Sequence, residues 1–171
     1  MELTAYLTDF KKAAESLDAK LFAARKLEID TGTWLESVVL RLQKKAWAND
    51  LYKKPQSGAA IFFSVWLNDK TIKEEKIFYN IHALKLRQLQ GYRLTSREFS
   101  AAFRERFQPF ESLWPNVSTH FGPLTLMEGW AAFDPARVKE IVYSLAVAFL
   151  EIDSIIDELL QSRKLPGRHH H

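Results

Sequence analysis

Two aromatic-rich segments of the chain combine large rings with polar side chains that could bind a ligand. Trp66 belongs to the first segment, and Phe78, Asn80 and His82 alternate along the second. Alternate residues of a β-strand share one face, so pairing of the two segments would bring these groups together. In a closed core, each polar group without a partner would cost about 1–3 kcal/mol. These four residues are therefore the predicted ligand-binding residues, with a small ligand or a protein as the partner.

The same pattern has a second interpretation, in which helices cover both faces of the strands and the rings are part of the core. The two interpretations differ in the exposure of Trp66. A binding face leaves the Trp66 indole open to solvent with His82 at its edge, whereas a core seals it.

A different candidate chemistry is recognition of a polyanion by arginine. Arg97 and Arg104 are seven residues apart, on one face of a predicted helix, and Arg93 could extend their row. Residues 83–108 contain six basic and two acidic residues, whereas residues 134–160 contain two basic and six acidic ones. Nucleic acid is accordingly the alternative partner. Solvated helix faces, or basic and acidic elements that face each other, explain the same charges.

Other combinations of residues give weaker indications of metal binding or catalysis. Asp69 followed by Glu74-Glu75-Lys76 resembles the acid and Glu-x-Lys pattern with which restriction-type nucleases hold Mg²⁺, but solvated turn charges explain the run better. His82 and His120 have no third ligand at zinc spacing. The chain has no cysteine, no nucleophile elbow and no P-loop. The sequence thus predicts no metal, no cofactor and no catalytic residue, and it leaves open whether the protein is an enzyme.

Length and composition predict one globular domain. The chain has 171 residues, of which 47% are hydrophobic, and a net charge of +3. Its first residues lack the basic and apolar regions of a signal peptide, and its apolar runs are far shorter than a membrane span. We therefore expect a cytoplasmic protein without a membrane partner. The terminal His169-His170-His171 resembles a purification tag, so the domain is assigned to residues 1–165 and a disordered tail to 166–171.

The periodicity of the apolar residues predicts the elements that must position these groups. Apolar spacings of three and four predict a helix over residues 3–24, and the capping-box pattern Thr33 to Glu36 predicts a second helix that ends near Asn49. Alternation predicts a hairpin of strands 61–67 and 76–81 across an Asn68-Asp69-Lys70 turn. Residues 82–90 fit either a strand with a bulge near His82 or a short helix capped by Asn80.

The remaining elements complete an α+β fold with a small antiparallel sheet of about four strands and four helices. Thr95 is the expected N-cap of a third helix, and short strands are expected over 117–121 and within 124–133. Asp134-Pro135 is expected to open a long helix that runs to about Arg163. Apolar residues cover so much of that last helix that it is expected to be either the centre of the fold or half of a homodimer interface.

Overall fold

The computed structural model describes residues 3–49 and 58–167 of the chain. It confirms the α+β class, with a single antiparallel sheet of five strands rather than about four. The strands are β1 (Leu27–Trp34), β2 (Ser37–Lys44), β3 (Ala60–Leu67), β4 (Lys76–Leu84) and β5 (Thr125–Ala132). The α-helices are α1 (Leu3–Ser16), α2 (Ala19–Ala24), α3 (Asp69–Lys73), α4 (Ser96–Phe107), α5 (Val138–Phe149) and α6 (Asp153–Gln161). Short 3₁₀ turns lie at Lys45–Trp47, Leu86–Gln88 and Gln108–Leu113.

The strands follow one another across the sheet in sequence order, β1-β2-β3-β4-β5. The predicted hairpin is present as β3 and β4, with Trp66 opposite Phe78, Ser64 opposite Asn80 and Phe62 opposite His82. A tight turn does not join them. The connection is the short helix α3, capped by the Asn68 side chain, which accepts a hydrogen bond from the Thr71 N–H at 2.9 Å.

The predicted second helix is wrong, because residues 27–44 form the hairpin of β1 and β2. The segment read as a capping box contains the turn of this hairpin. Leu35 and Glu36 adopt left-handed backbone angles, with φ of 52° and 62°, between Trp34 and its partner Ser37. Val38, Leu40 and Leu42 are the buried alternating set. Their period of two, rather than the spacing of three and four, determines this structure.

Three further expectations are refined. The predicted first helix is divided by Leu17 and Asp18 into α1 and α2, with the Asp18 side chain as the cap of α2. Residues 82–84 continue β4, and the ladder with β5 shifts register between Ile81 and His82, which is the predicted bulge. The predicted last helix is two helices, α5 and α6, which are separated by residues 150–152.

Two predictions for the segment between β4 and β5 had different outcomes. The helix capped by Thr95 is confirmed as α4, since the Thr95 hydroxyl accepts a hydrogen bond from the Glu98 N–H. The strand expected over residues 117–121 is wrong, because only an isolated bridge of Ser118 to Glu128 forms there.

The hydrophobic core lies on one face of the sheet, between the strands and the helices. Alternate strand residues such as Leu40, Phe63 and Tyr79 are fully buried there against Phe10 of α1 and Phe149 of α5. We call this surface the helix-covered face. No helix in the described part of the chain is long and apolar enough to cross a membrane.

Candidate functional site

The opposite surface of the sheet, which we call the open face, carries large aromatic side chains that take no part in the described core cluster. They are half-buried, whereas their neighbours on the helix-covered face are sealed. The strand register fixes this difference, because every second residue points to the other side. The aromatic residues of the open face are Trp34, Phe62, Trp66, Phe78 and Trp130.

A row of polar residues crosses the middle of the open face, one from each strand. The pairings place Asp30 beside Arg41, Arg41 beside Ser64, Ser64 beside Asn80, and Asn80 beside Glu128. We call these five residues the polar row. Its members at the centre of the sheet are buried by the rings on either side, with exposures of 7% for Arg41, 6% for Ser64 and 2% for Asn80.

Hydrogen bonds connect the last three residues of the polar row, Ser64, Asn80 and Glu128. The Ser64 hydroxyl donates to the Asn80 side-chain oxygen at 2.7 Å, and the Asn80 amide donates to Glu128 Oε1 at 3.2 Å. These bonds satisfy the Asn80 amide in a place where an unpaired amide would be costly. They also fix its orientation, so that its oxygen faces Ser64 and its nitrogen faces Glu128.

Arg41 forms the first half of the polar row and is the cation at the floor of the site. Its Nη2 donates to Asp30 Oδ2 over a long 3.5 Å. The Trp34 and Phe62 rings lie against the guanidinium, with their centroids 5.5 and 5.9 Å from Cζ. Burial lowers the pKa of Arg41 from its usual value, but a guanidinium stays protonated at neutral pH.

Aromatic pairs form walls on both sides of the polar row. On one side Trp66 and Phe78 stack with their centroids 4.9 Å apart and their planes 17° from parallel. On the other side Phe62 meets His82 edge to face at 5.5 Å. Such pairs hold rings in fixed orientations, and offset-stacked and edge-to-face geometries are the favourable ones. The walls are therefore pre-formed.

Between these walls is a cavity of about 380 Å³ whose lining is mostly apolar. The size falls in the range of small-molecule sites, which combine apolar walls with a few placed polar groups. The turn residue Leu35, which is 86% exposed, stands at its rim. The lining includes Trp34, Arg41, Phe62, Ser64, Trp66, Asn80, His82 and Glu128.

His82 lies where the cavity meets the bulge of the sheet. Burial lowers the pKa of His82, while a hydrogen bond with the Leu124 backbone and the charge of Glu128 act in the opposite direction. Its Nδ1 is 3.4 Å from the Thr125 hydroxyl. At neutral pH the imidazole is therefore a neutral, polar group in the wall of the cavity.

The structure brings the four predicted ligand-binding residues onto one face. Trp66, Asn80 and His82 line the cavity, and Phe78 supports Trp66 by stacking on it. Sequence reasoning missed Arg41, Ser64 and Glu128, which complete the polar row. Ser64 could be recognised from the sequence, because it lies two residues from Trp66 in a predicted strand and shares its face. Arg41 could not, because it falls in the predicted second helix. No local sequence pattern points to Glu128.

The arginines of the alternative hypothesis differ in their exposure and in their hydrogen-bond partners. Arg93 and Arg97 are exposed. Arg104 instead donates hydrogen bonds to the backbone oxygens of Phe121, Gly122, Thr125 and Leu126, at 2.8 to 3.2 Å. Its guanidinium thus holds the loop before β5, and any contact with a polyanion would compete with these bonds.

The two weaker predicted features also have definite positions. Asp69 begins α3, Glu74 and Glu75 are exposed at its end, and Lys76 lies with Nζ 4.5 Å from the centroid of the Trp130 ring. His120 is exposed in the loop before β5. Across residues 3–49 and 58–167, no group of three or more His, Cys, Asp or Glu side chains is arranged to hold a metal ion.

The helix considered for a homodimer interface packs within the fold over most of its surface. Val142, Ala146 and Phe149 of α5 are fully buried. Tyr143 and Val147, on its outer side, are each 37% exposed. A homodimer through this narrow strip stays a prediction, which sedimentation over a range of concentrations tests.

Comparisons with known proteins give no name to this arrangement. No family model, curated protein or solved structure matches the chain significantly. The geometry of the open face is therefore the feature of the molecule that points to a function.

Proposed function

We propose that this protein is a small-molecule-binding module whose site is the cavity of the open face. The observation that carries the proposal is the combination of fixed aromatic walls with a buried polar row at the floor of an accessible cavity. A surface without a ligand gains little from burying an arginine and an amide under rings, because desolvating them is costly.

The charges of the open face favour a small ligand over nucleic acid. Asp30, Glu128 and Glu28 supply three carboxylates, against the cations of Arg41 and Lys76. A polyanion is bound through an excess of cations, which the described strands β1 to β5 do not supply to this face. The rings would instead stack on a planar, apolar part of a ligand, and the polar row would fix its orientation.

Two other clefts are larger, at about 450 and 500 Å³, but their chemistry is different. The first contains Lys44 and Asp157, which form an ion pair with each other. The second lies between α2 and β1 and has Lys26, Lys45 and Glu28 among its lining. Neither has the pairs of parallel or edge-to-face rings that prepare the open face for a planar ligand.

Titration with indole, observed by amide chemical shifts, tests the proposal. Shift changes are expected on β2, β3 and β4 around the polar row, and Trp66→Ala is expected to weaken binding by at least tenfold. Tyr143→Ala removes a partly exposed ring far from the cavity and is the matched control. Shift changes that avoid the open face, or equal binding by Trp66→Ala, would contradict the proposal.

Iodide quenching provides an independent test of access to the cavity. Trp66 is half-buried, so the wild-type protein is expected to be quenched more than Trp66→Phe. An unchanged quenching curve after this substitution would mean that the indole is sealed, and the binding proposal would then fail.

A further inference from the structure

The position of Arg41 narrows the class of ligand. This step rests on the proposed function, since it concerns the same cavity. Arg41 lines the cavity and is only 7% exposed. Its positive charge is therefore largely desolvated beside the space that a ligand would occupy. A charge-assisted hydrogen bond in such a place is stronger than one in water.

The guanidinium retains hydrogen-bonding capacity for a ligand. It has five N–H donors in one plane, and a carboxylate such as Asp30 engages two of them at most. The Trp34 and Phe62 rings, whose centroids lie 5.5 and 5.9 Å from Cζ, contribute no conventional hydrogen-bond acceptor atom to the guanidinium. Donors therefore remain available at the guanidinium edge.

The bond of Arg41 to Asp30 is one that a ligand can displace. Its length of 3.5 Å is beyond the usual 2.7–3.2 Å of such bonds. The Asp30 side chain is 33% exposed, so water can solvate its carboxylate when Arg41 binds a ligand carboxylate instead. A ligand carboxylate in the cavity would be held at shorter distance and with less solvent around it.

The other polar groups of the cavity place the anionic end of the ligand. Glu128 and Asp30 are the two ends of the polar row, and Ser64 and Asn80 lie between Glu128 and Arg41. Within the cavity lining, a ligand carboxylate near Glu128 would be repelled, whereas one near Arg41 would be attracted, because Asp30 contacts Arg41 from outside the lining. The ring portion of the ligand then lies over Ser64 and Asn80, between the Trp66 and Phe62 walls.

We propose that the cavity binds a planar aromatic carboxylate, with the carboxylate on Arg41 and the ring between the aromatic walls. Neutral rings would fill the same space without the ionic contact. The preference of the cavity for an anionic over a neutral aromatic ligand can therefore be measured separately from its binding of the ring.

Two probes of nearly the same shape, one anionic and one neutral, test the inference, namely 2-naphthoate and 2-naphthamide. Wild-type protein is expected to bind 2-naphthoate roughly tenfold more tightly, the effect of one charge-assisted contact. Arg41→Met is expected to lose that preference, with most of the change in the naphthoate affinity. Lys45→Met removes an exposed cation outside the cavity and is expected to keep the preference.

A second variant keeps the test decisive if Arg41→Met does not fold. Asp30→Asn removes the competing carboxylate, so its preference for 2-naphthoate is expected to rise severalfold above that of the wild type. Equal affinity of the wild type for both probes, or an unchanged or smaller preference in Asp30→Asn, would overturn the anion assignment alone. Absence of binding by both probes would overturn the proposed function as well.

Discussion

Lys44 and Arg41 lie three residues apart on β2, on opposite faces of the sheet, and each is 7% exposed. Lys44, on the helix-covered face, has Nζ 2.8 Å from Asp153 Oδ2, in an ion pair outside hydrogen-bond geometry, and donates a hydrogen bond to Asp157. It also lies 5.3 Å from the centroid of the Trp47 ring.

Arg41 has the same burial but a different kind of environment. Its bond to Asp30 is 3.5 Å long, and a cavity adjoins it. Burial alone therefore does not assign a role to a charged side chain. The number and closeness of its partners do, because a cation surrounded by carboxylates has little left to offer a ligand.

The largest expected effect on stability comes from removing Lys44, which forms ion pairs with Asp153 and Asp157. Lys44→Met leaves Asp153, which is 1% exposed, with Arg25 as its remaining ion-pair partner. We expect a loss of about 3 kcal/mol in the free energy of unfolding, because the buried Asp153 carboxylate keeps Arg25 but loses the more deeply buried of its two cations. Urea unfolding measures it.

Arg41→Met, by comparison, is expected to cost about 1 kcal/mol, because Asp30 is partly solvated and its hydrogen bond to Arg41 is weak. Lys45→Met, at an exposed neighbour of Lys44, is the control and should leave stability within about 0.5 kcal/mol. Equal losses for Lys44→Met and Arg41→Met would remove the distinction between the two faces.

A glycine on each side of the sheet gives the next largest difference. A Cβ at Gly129 would lie 2.3 Å from Tyr79 Oη and 2.9 Å from the Pro115 carbonyl oxygen, in the packed helix-covered side. A Cβ at Gly32 would meet the Trp34 ring at 3.0 Å, on the open face, where the contact is with one half-buried side chain and not with backbone. Thermal unfolding is expected to show a loss of about 2 kcal/mol for Gly129→Ala and about 1 kcal/mol or less for Gly32→Ala.

Strain at the rim of the open face predicts a smaller effect of opposite sign. Glu36 has a φ of 62° in the turn beside the cavity, a conformation that glycine adopts without steric cost. Glu36→Gly is expected to raise the free energy of unfolding by about 0.5–1 kcal/mol in urea. Glu28→Gly, in the regular part of β1, should lower it by a similar amount. A loss of stability in Glu36→Gly would argue that the side chain, and not the backbone, matters there.

The smallest expected effect is a pH dependence that belongs to the open face. Burial lowers the pKa of His82 in the folded state below the value of about 6.5 of the unfolded chain. Between these two pKa values the unfolded state binds more protons, so the free energy of unfolding falls as the pH is lowered through that window. His82→Gln should flatten the decline in urea unfolding between pH 7.5 and 5.5. His120→Gln, at an exposed position, should not.

The sequence carried enough information for the centre of the sheet and much less for its edge. The strict alternation around Phe63 and Tyr79 defined β3 and β4 and, with them, four residues of the candidate site. At Val38-Val39-Leu40 both a helical and an alternating pattern fit, and local capping residues favoured the wrong one. Only pairing with β3 decides between them, and that contact is not visible in local periodicity.

The polar row shows a second limit of sequence reasoning. Asp30, Arg41 and Glu128 come from three separate segments and are neighbours only through the strand register. Their residue types look like surface charges when each segment is read alone. A composite site of this kind becomes recognisable after the order and the register of all five strands are known.

The sequential order of the strands also has a consequence for how the chain folds. Each strand pairs with its neighbour along the chain, so the loops closed at each step are short compared with those of a crossed topology, and assembly of the sheet is favoured early. Two of the helices that cover its apolar face, α5 and α6, come last in the chain. A chain that ends near residue 137 would leave Phe63 without its stacking partner Phe149 of α5, and the exposed apolar surface would make it prone to aggregate.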